Sequence, residues 1–521
     1  MKLNYKRTIL VGFAFFLISA FWQAYDATIP VILTNKFGMS QTWSGVIMAL
    51  DNILALFMLP LFGAISDKCT SRQGKRTPFI TIGTIVAAIA IVGLAFVDDA
   101  QLTNIADVKQ FDSPKTLVSI YDDAAVSEAK LQTPEGDVFV LKDTFTKDAF
   151  TQITATVTDP ETGKSVTNPD YTNYVVPARQ AYAAHRTAQN PQKLIVFVAL
   201  LLVVLVAMST FRSPAVALMP DVTIKPLRSK ANAIINLMGT AGGILILVLG
   251  MVFATSAVKN QLMTYYVYYG VLAGIMILAL AIFLATVREP LWSRQMQLDS
   301  VRLGVEEEDV ASDENRKLTS SEKKSLLFIL ASIALWYFGY NAVTSKYAVY
   351  AGNILNMDYN TTLLVAQGAA IVAYLPAGMI ASKVGRKKTI MAGVVLLTSA
   401  FGAASFMRAG SPVLVMNILF AMAGIGWATI NVNSFPMVVE MCSGADIGKY
   451  TGFYYTASMS AQIATPMLSG FFMDMDGVGM TVLFPYAAIF AGLAFLTMAF
   501  VRHGDSRPAA KEGLEALNVE D

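Results

Sequence analysis

The sequence predicts an all-α membrane protein of twelve transmembrane helices in two six-helix bundles, with a small β-rich extracytoplasmic insert. Composition is the first observation: the 521 residues are 55% hydrophobic and only 15% charged, with a mean hydropathy of +0.52. Soluble domains carry about 25% charge. The second is periodic interruption of apolar sequence. Stretches reaching the about 18 to 20 residues that cross a bilayer fall at 8–33, 42–65, 78–97, 193–219, 231–257, 264–287, 325–350, 360–382, 388–407, 412–435, 449–472 and 481–501. The third is charge asymmetry. Of 39 lysines and arginines, 25 lie in segments assigned to one side and 4 (Lys36, Lys259, Lys346, Arg408) in short loops assigned to the other. The positive-inside bias makes the basic side cytoplasmic and places both termini there.

Taken in order, Lys2, Lys6 and Arg7 precede an apolar run with no small-residue cleavage site, so it reads as a retained first span and not a signal peptide. Residues 1–97 and 193–287 make the N-terminal bundle. Between them, residues 98–192 are polar. The alternating stretches Asp137-Val-Phe-Val-Leu141 and Thr151-Gln-Ile-Thr-Ala-Thr-Val157, with turn signals Pro134-Glu-Gly136 and Pro160-Glu-Thr-Gly163, read as an external strand-rich insert. Residues 288–324 read as a cytoplasmic linker whose charges serve solvation, 325–501 as the C-terminal bundle and 502–521 as a cytoplasmic tail. An internal repeat supports the division into halves: Leu59-Pro60 to Ser66-Asp67, ahead of Gly74-Lys75-Arg76, is echoed by Leu375-Pro376 to Ser382-Lys383, ahead of Gly385-Arg386-Lys387. The second copy lacks the aspartate.

Several function classes find no support. There is no phosphate-cradling Gly-x-x-x-x-Gly-Lys-Ser/Thr loop, so direct ATP driving is not expected. His185 and His503 are the only histidines, too few for a histidine metal site. Cys69 and Cys442 both fall on the expected cytoplasmic side and imply no disulfide. No enzyme signature, cofactor, metal or nucleic-acid partner is expected, and the energy for any transport comes from a gradient.

Ionisable groups inside spans are the strongest functional pointers, because each costs about 2.5 to 3.5 kcal/mol to insert. Asp26 and Asp51 lie at one depth, roughly 10 to 14 Å below the external surface at 1.5 Å rise per residue. Two carboxylates at one level repel, and such a pair is a plausible place to bind and release a coupling ion. Trp22 and Gln23 share a helix face with Asp26, an aromatic plate beside hydrogen-bonding groups that suits a sugar. Asn341 and Gln367 fall within spans at a comparable depth, although an amide can equally serve as helix-helix glue, whereas Arg212 lies about 10 Å above the cytoplasmic end of its span, too low to pair directly with Asp26. Arg212 is read as lining the inner part of a cavity or reaching toward Asp221 or Glu440. Tyr25, Trp336, Tyr337, Tyr340, Trp427, Asn431, Asn433 and Tyr454 are further cavity candidates, most of them expected to be structural.

The loop Gly63 to Pro78 organises the chain. Its cations Lys68, Arg72, Lys75 and Arg76 separate two spans, Asp67 closes the first, and Thr77-Pro78 suits the cap and first position of the next helix. Gly-x-x-x-Asp-Lys followed by Gly-Lys-Arg resembles the loop between the second and third spans of major facilitator transporters. The fuller string Ser66-Asp67 to Pro78-Phe79-Ile80 resembles the plant sucrose-proton symporters and the animal sucrose-transporter-related branch, near the glycoside-pentoside-hexuronide symporters. The resemblance departs in two places, at Val216, where that branch often has an arginine, and at the long insert. It implies a proton-coupled importer of a glucoside-type sugar such as sucrose or maltose, a monomer in the plasma membrane. It also implies conformational gating by Asp67, Arg72, Gly74, Lys75, Arg76 and Asp221, with Gly385 and Arg386 in the second copy. Sodium-coupled glycoside or hexuronide uptake, efflux, and a non-transporting receptor or scaffold acting through the insert remain open at this point.

Overall fold

The computed structural model describes residues 3–110, 113–158, 165–224, 227–303, 319–439, 441 and 447–503. Apolar runs of this length fold as helices because a bilayer offers backbone N–H and C=O groups no outside partner. The chain opens with α1 (Tyr5–Asn35), α2 (Gln41–Asp67) and α3 (Thr77–Asn104). The insert follows, with α4 (Pro114–Asp122), α5 (Ala124–Ser127), β1 (Lys130–Gln132), β2 (Val138–Val140), α6 (Leu141–Thr144), α7 (Lys147–Thr151), β3 (Thr156–Thr158), β4 (Ser165–Thr167) and α8 (Val176–Gln189). Then come α9 (Gln192–Val222), α10 (Arg228–Val252), α11 (Tyr266–Thr286) and α12 (Glu289–Leu303). The rest is α13 (Ser320–Tyr350), α14 (Tyr359–Val384), α15 (Arg386–Ala404), α16 (Val413–Val439), α17 (Ile447–Met473) and α18 (Leu483–Ala499).

Among the described residues, twelve helices run 17 residues or longer, and ten stretches are long and apolar enough to cross a membrane. The remaining long helices, α14 and α17, pack directly against members of that set. Helices α1 to α3 and α9 to α11 pack on one another around one apolar core containing Phe21, Met208 and Phe283. Helices α13 to α18 do the same around Trp336, Tyr347 and Phe484. The two halves meet along α2–α17, α10–α14 and α1–α13. Where α2 crosses α17 the backbones nearly touch: a Cβ on Gly45 would strike the Pro466 carbonyl, and one on Gly470 the Gln41 carbonyl.

The insert is mainly helical, which corrects the strand-rich expectation. Its strands form only two antiparallel hairpins, β1–β2 and β3–β4. Pro134-Glu-Gly136 is the turn of the first, whereas Pro160 to Gly163 lies outside the described residues. The alternating stretches 137–141 and 151–157 do contain β2 and β3, but residues 141–144, 147–151 and 171–189 around them fold as helix, and their apolar residues Leu141, Phe150, Tyr171, Val175 and Tyr182 close a separate small core with Ile120 and Phe139. Tertiary burial overrides local β-propensity here. The insert also starts later than residue 98, since α3 continues to Asn104.

Two lysines assigned to short external loops are buried. Lys36, just past α1, is fully enclosed: its Nζ donates to both Asp98 oxygens at 2.6 Å and to the Met263 carbonyl at 2.6 Å, and lies 4.7 Å from the Tyr265 ring centroid. Charge counting cannot see this, because the partner is 62 residues away. Lys346 lies inside α13, with its Nζ donating to the Gln41 carbonyl of the other half.

Candidate functional site

A cavity of about 570 Å³ lies between the halves, and residues from both line it. From the first half come Trp22, Gln23 and Asp26 of α1, Asp51 and Asn52 of α2, Arg212 of α9, and Asn236 and Thr240 of α10. From the second come Tyr340 and Thr344 of α13, Gln367 and Tyr374 of α14, Trp427 and Asn431 of α16, and Gln462 of α17. The volume falls within the range of about 300 to 1,000 Å³ typical of small-molecule sites.

The two aspartates meet in this cavity in different surroundings. Asp51 accepts a hydrogen bond from Asn52 Nδ2 at 2.8 Å. Arg212 lines the same cavity, yet no ion pair within 4.0 Å joins it to Asp51. The expected reach of Arg212 to Asp221 does not occur, because Asp221 is held by Arg76, and Glu440 lies outside the described residues. Asp26 sits one turn before Pro30, which has no N–H to offer the Asp26 carbonyl. Local polarity therefore gathers where α1 faces the cavity.

Gln367 Nε2 donates to Gln23 Oε1 at 2.6 Å, a hydrogen bond between the halves. Gln367 Oε1 and Trp22 Nε1 are buried without a hydrogen-bond partner. Such orphans are rare in proteins because each costs free energy, so at a cavity wall they point to a ligand. Across the cavity, Tyr340 and Trp427 stack with ring centroids 3.7 Å apart and planes 5° from parallel, giving a flat aromatic wall. Trp22 packs edge-on against Phe21 and Tyr25.

One predicted binding residue does not join the site. The cavity face of α13 is Tyr340, Val343, Thr344 and Ala348; Asn341 lies off that face, its Nδ2 buried without a partner. Depth counting gave its level but not its rotation about the helix axis. Of the wider candidates, Tyr340, Trp427 and Asn431 line the cavity, whereas Tyr25, Trp336, Asn433 and Tyr454 are buried in packing. Sequence reading missed Asn52, Asn236, Thr240, Tyr374 and Gln462; their only signal was polarity within an apolar run.

At the end away from the insert, the basic loop forms one network. Arg76 Nε donates to Asp221 Oδ2 at 2.7 Å, its Nη2 to Asp67 Oδ1 at 2.5 Å and its Nη1 to Ser66 Oγ. Glu289 accepts from the backbone N–H groups of Lys75, Arg76 and Thr77 at 2.6, 2.9 and 2.8 Å and from Thr77 Oγ1 at 2.7 Å. Two expectations are corrected by this carboxylate. The start of α3 is capped by Glu289 from a distant segment instead of by Thr77, and the 288–324 linker charges are not all solvated, since Glu289 is 3% exposed. An anion at a helix N-terminus satisfies its free N–H groups and opposes the helix dipole. Gly74 makes room for it: its φ is +118°, and a Cβ there would collide with Glu289. Arg72 is exposed and makes no hydrogen bond or ion pair among the described residues, and Lys75 contributes only its backbone, so of the loop cations Arg76 alone is the hub. In the second copy Gly385 also has positive φ, +102°, and Arg386 is buried. Cys69 is half-buried with a free thiol, and Cys442 lies outside the described residues.

At the insert end the halves are tied together. Asp474 accepts from Gln41 N at 2.8 Å, Thr42 N at 2.7 Å and Thr42 Oγ1 at 2.6 Å, capping α2 from the opposite half. On the other flank Ser256 Oγ donates to Asp358 Oδ1 at 2.6 Å, and Thr255 and Tyr359 hydroxyls bond at 2.7 Å. Burial pushes the Asp358 carboxyl up, but hydrogen bonds from Ser256, Thr361 and Asn360 outweigh it and hold the group below the usual carboxylate range.

The family profile described as Major Facilitator Superfamily matches residues 363–518, and the one described as MFS/sugar transport protein matches residues 10–105, one in each half. Both halves are therefore similar to major facilitator superfamily proteins. Its long apolar helices make it a multi-pass membrane protein, and the proteins it matches are transporters. It is 34% identical over 79 residues to Sucrose transport protein SUC4 of Arabidopsis thaliana, a stretch covering 15% of this chain and 16% of that one. It is 34% identical over 79 residues to Proton-associated sugar transporter A of Mus musculus, covering 14% and 10%. The match thus spans a sixth or less of these relatives' length. Among solved structures, the chain resembles the D-xylose-proton symporter, with TM-score 0.57, 15% identity, and 96% and 99% coverage of the two chains. It also resembles the inward-open xylose transporter XylE from E. coli (0.55, 15%, 99% and 99%) and the nucleoside transporter NupG (0.50, 12%, 96% and 100%). At these identities the likeness concerns the fold, which is shared by carriers of different substrates.

Proposed function

We propose that this protein is a secondary active transporter of the major facilitator kind that takes up a glucoside-type sugar with protons by alternating access of twelve membrane spans. One observation carries the reading. A polar, aromatic-walled cavity between the halves gathers an acidic pair, Asp26 and Asp51, on the first half and an amide and a stacked aromatic wall, Gln367 and Tyr340–Trp427, on the second. A sugar offers hydroxyls to Gln23, Gln367 and Trp22 Nε1, whose polar atoms are incompletely satisfied by protein, and apolar C–H faces to the aromatic rings. The short match to sucrose transport proteins supports a sugar as the substrate.

In this reading Asp26 and Asp51 carry the coupling proton. Neutralising the pair removes the charge that resists enclosure between apolar walls, so the loaded carrier can rock about the cavity. In this reading the insert side is the extracytoplasmic one and the ties between the halves there hold it closed, while the Arg76 network lies on the cytoplasmic side. One charge crossing 100 mV supplies about 2.3 kcal/mol, enough for roughly 50-fold accumulation at 1.4 kcal/mol per decade.

The test is uptake of a panel of radiolabelled glycosides into proteoliposomes under separately imposed proton and sodium gradients. Accumulation of a glucoside that follows the proton gradient and is indifferent to sodium is expected. Uptake driven by sodium alone, or movement of no glycoside by protein that binds none, overturns the proposal.

A further inference from the structure

The insert takes no part in lining the central cavity, yet it is bonded to both halves. On the first half, Gln180 Nε2 in α8 donates to Asn35 Oδ1 at 2.7 Å, and Gln101 Nε2 in α3 joins Thr187 Oγ1 at 2.9 Å and the Lys36 carbonyl at 2.8 Å. The Lys36–Asp98 pair locks that anchor beneath it, buried where water cannot compete. On the second half, the β1–β2 hairpin reaches the loop joining α17 to α18. Gly477 N donates to the Gly136 carbonyl at 2.9 Å, Met480 N to the Pro134 carbonyl at 2.8 Å, and Gln132 Nε2 to the Met475 carbonyl at 2.7 Å. The fit is close: Gly136 has φ +106°, and a Cβ on it would sit 2.8 Å from the Val478 backbone.

That loop begins next to Asp474, the residue that caps α2 across the same gap. Opening the carrier at this end must draw α17 away from α2, and residues 475–480 move with α17 while α8 stays with the first half. The hairpin bonds then have to break together with the Asp474 cap. We infer that the insert is a clamp acting within its own chain, whose hairpin holds the insert-end gate shut and so sets the balance between the two access states. This inference rests on the alternating-access reading above. A clamp of this kind gives the 98–192 segment a function in transport kinetics although it touches no substrate. By linkage, any ligand or wall component that loosens the hairpin would favour opening by its differential affinity for the released form.

The experiment is hydrogen–deuterium exchange on the full chain in lipid nanodiscs, read at 40–48 (α2 start) and 475–482 (the loop). Gly136→Val is expected to raise exchange about tenfold in both regions, and Gln132→Ala about fivefold, the loss of one hydrogen bond of about 1 kcal/mol. Because Gly136→Val strains a left-handed backbone position, a second measurement that leaves Gly136 in place accompanies it. In a Cys69→Ser, Cys442→Ser background, Gln132→Cys with Met475→Cys bridged by a short thiol cross-linker is expected to slow exchange at 40–48 and stop turnover, with recovery on cleaving the bridge. Exchange that rises at 475–482 alone in the hairpin variants, or a bridged protein that turns over at the unbridged rate, overturns the inference. The exchange readout needs no substrate, so a wrong choice of sugar would fail in the uptake assay without altering it.

Discussion

Replacing Asp474 by alanine removes the cap that the second half places on α2. Three donors are lost at once, Gln41 N, Thr42 N and Thr42 Oγ1, at 2.6 to 2.8 Å. Hydrogen bonds to a charged group contribute about 1.5 to 3 kcal/mol each. The carboxylate is half-buried, two of the bonds share Oδ2, and all the groups rehydrate when the gate opens; the net for the set is taken at about 3 kcal/mol. That is roughly a hundredfold in the population opened at this end. Ser44 provides the reporter, since it lies one turn into α2, is fully buried, and its hydroxyl has no hydrogen-bond partner. In the background free of Cys69 and Cys442, the labelling rate of Ser44→Cys by a small maleimide measures the opened fraction. Asp474→Ala is expected to speed labelling roughly a hundredfold, and Asp474→Asn, which keeps one acceptor, roughly tenfold. An increase below about threefold for Asp474→Ala, at unchanged thermal stability, would show that the gate is not held by this cap.

The remaining predictions address the cavity, the opposite end and pH. Asp51→Asn and Asp26→Asn should each reduce accumulation from roughly 50-fold toward unity at 100 mV while substrate exchange persists; retained accumulation in vesicles would remove that residue from coupling. Trp427→Ala should raise KM for the sugar roughly three- to tenfold, because an aromatic stack contributes about 0.5 to 1.5 kcal/mol, and an unchanged KM would place the stack outside the binding surface. Glu289→Ala should destabilise the protein by about 2 to 4 kcal/mol by leaving the buried N–H groups of α3 unpaired, read as a drop in Tm that Glu289→Gln only partly shares. Asp358 is held below the usual 3.8, so its share of the closed gate is complete above that pH and is lost only as pH falls through the lowered value. Its effect on Ser44→Cys labelling, measured as the ratio of Asp358→Asn to the parent, should therefore be constant from pH 5 to 8; a ratio that varies over that window would contradict the assignment.

The long helices were legible, ten of them long and apolar enough to cross a membrane among the described residues, because lipid leaves so few options: a run of about 20 apolar residues can satisfy its backbone only as a helix. The expected start at 42 and the observed Gln41, or 193 and Gln192, differ by one residue. Asp26, Asp51, Trp22, Gln23, Gln367 and Arg212, singled out in the sequence because a polar group at mid-span is expensive, all line the cavity. Asn341 shows the limit of that rule. The cost of burying an amide says that it needs a polar setting, not on which face of the helix it stands.

By itself, then, the sequence determined what the bilayer enforces: the spans, the doubled architecture, the basic loop and the polar positions inside the membrane. Pairings between distant segments were decided only in three dimensions. Lys36 finds Asp98, Glu289 caps α3, Asp474 caps α2 from the other half, and the insert hairpin closes on residues 475–480. Hydropathy is a sum over neighbours in the chain, whereas a hydrogen bond or ion pair depends on where packing brings two remote groups, and no local pattern encodes that meeting.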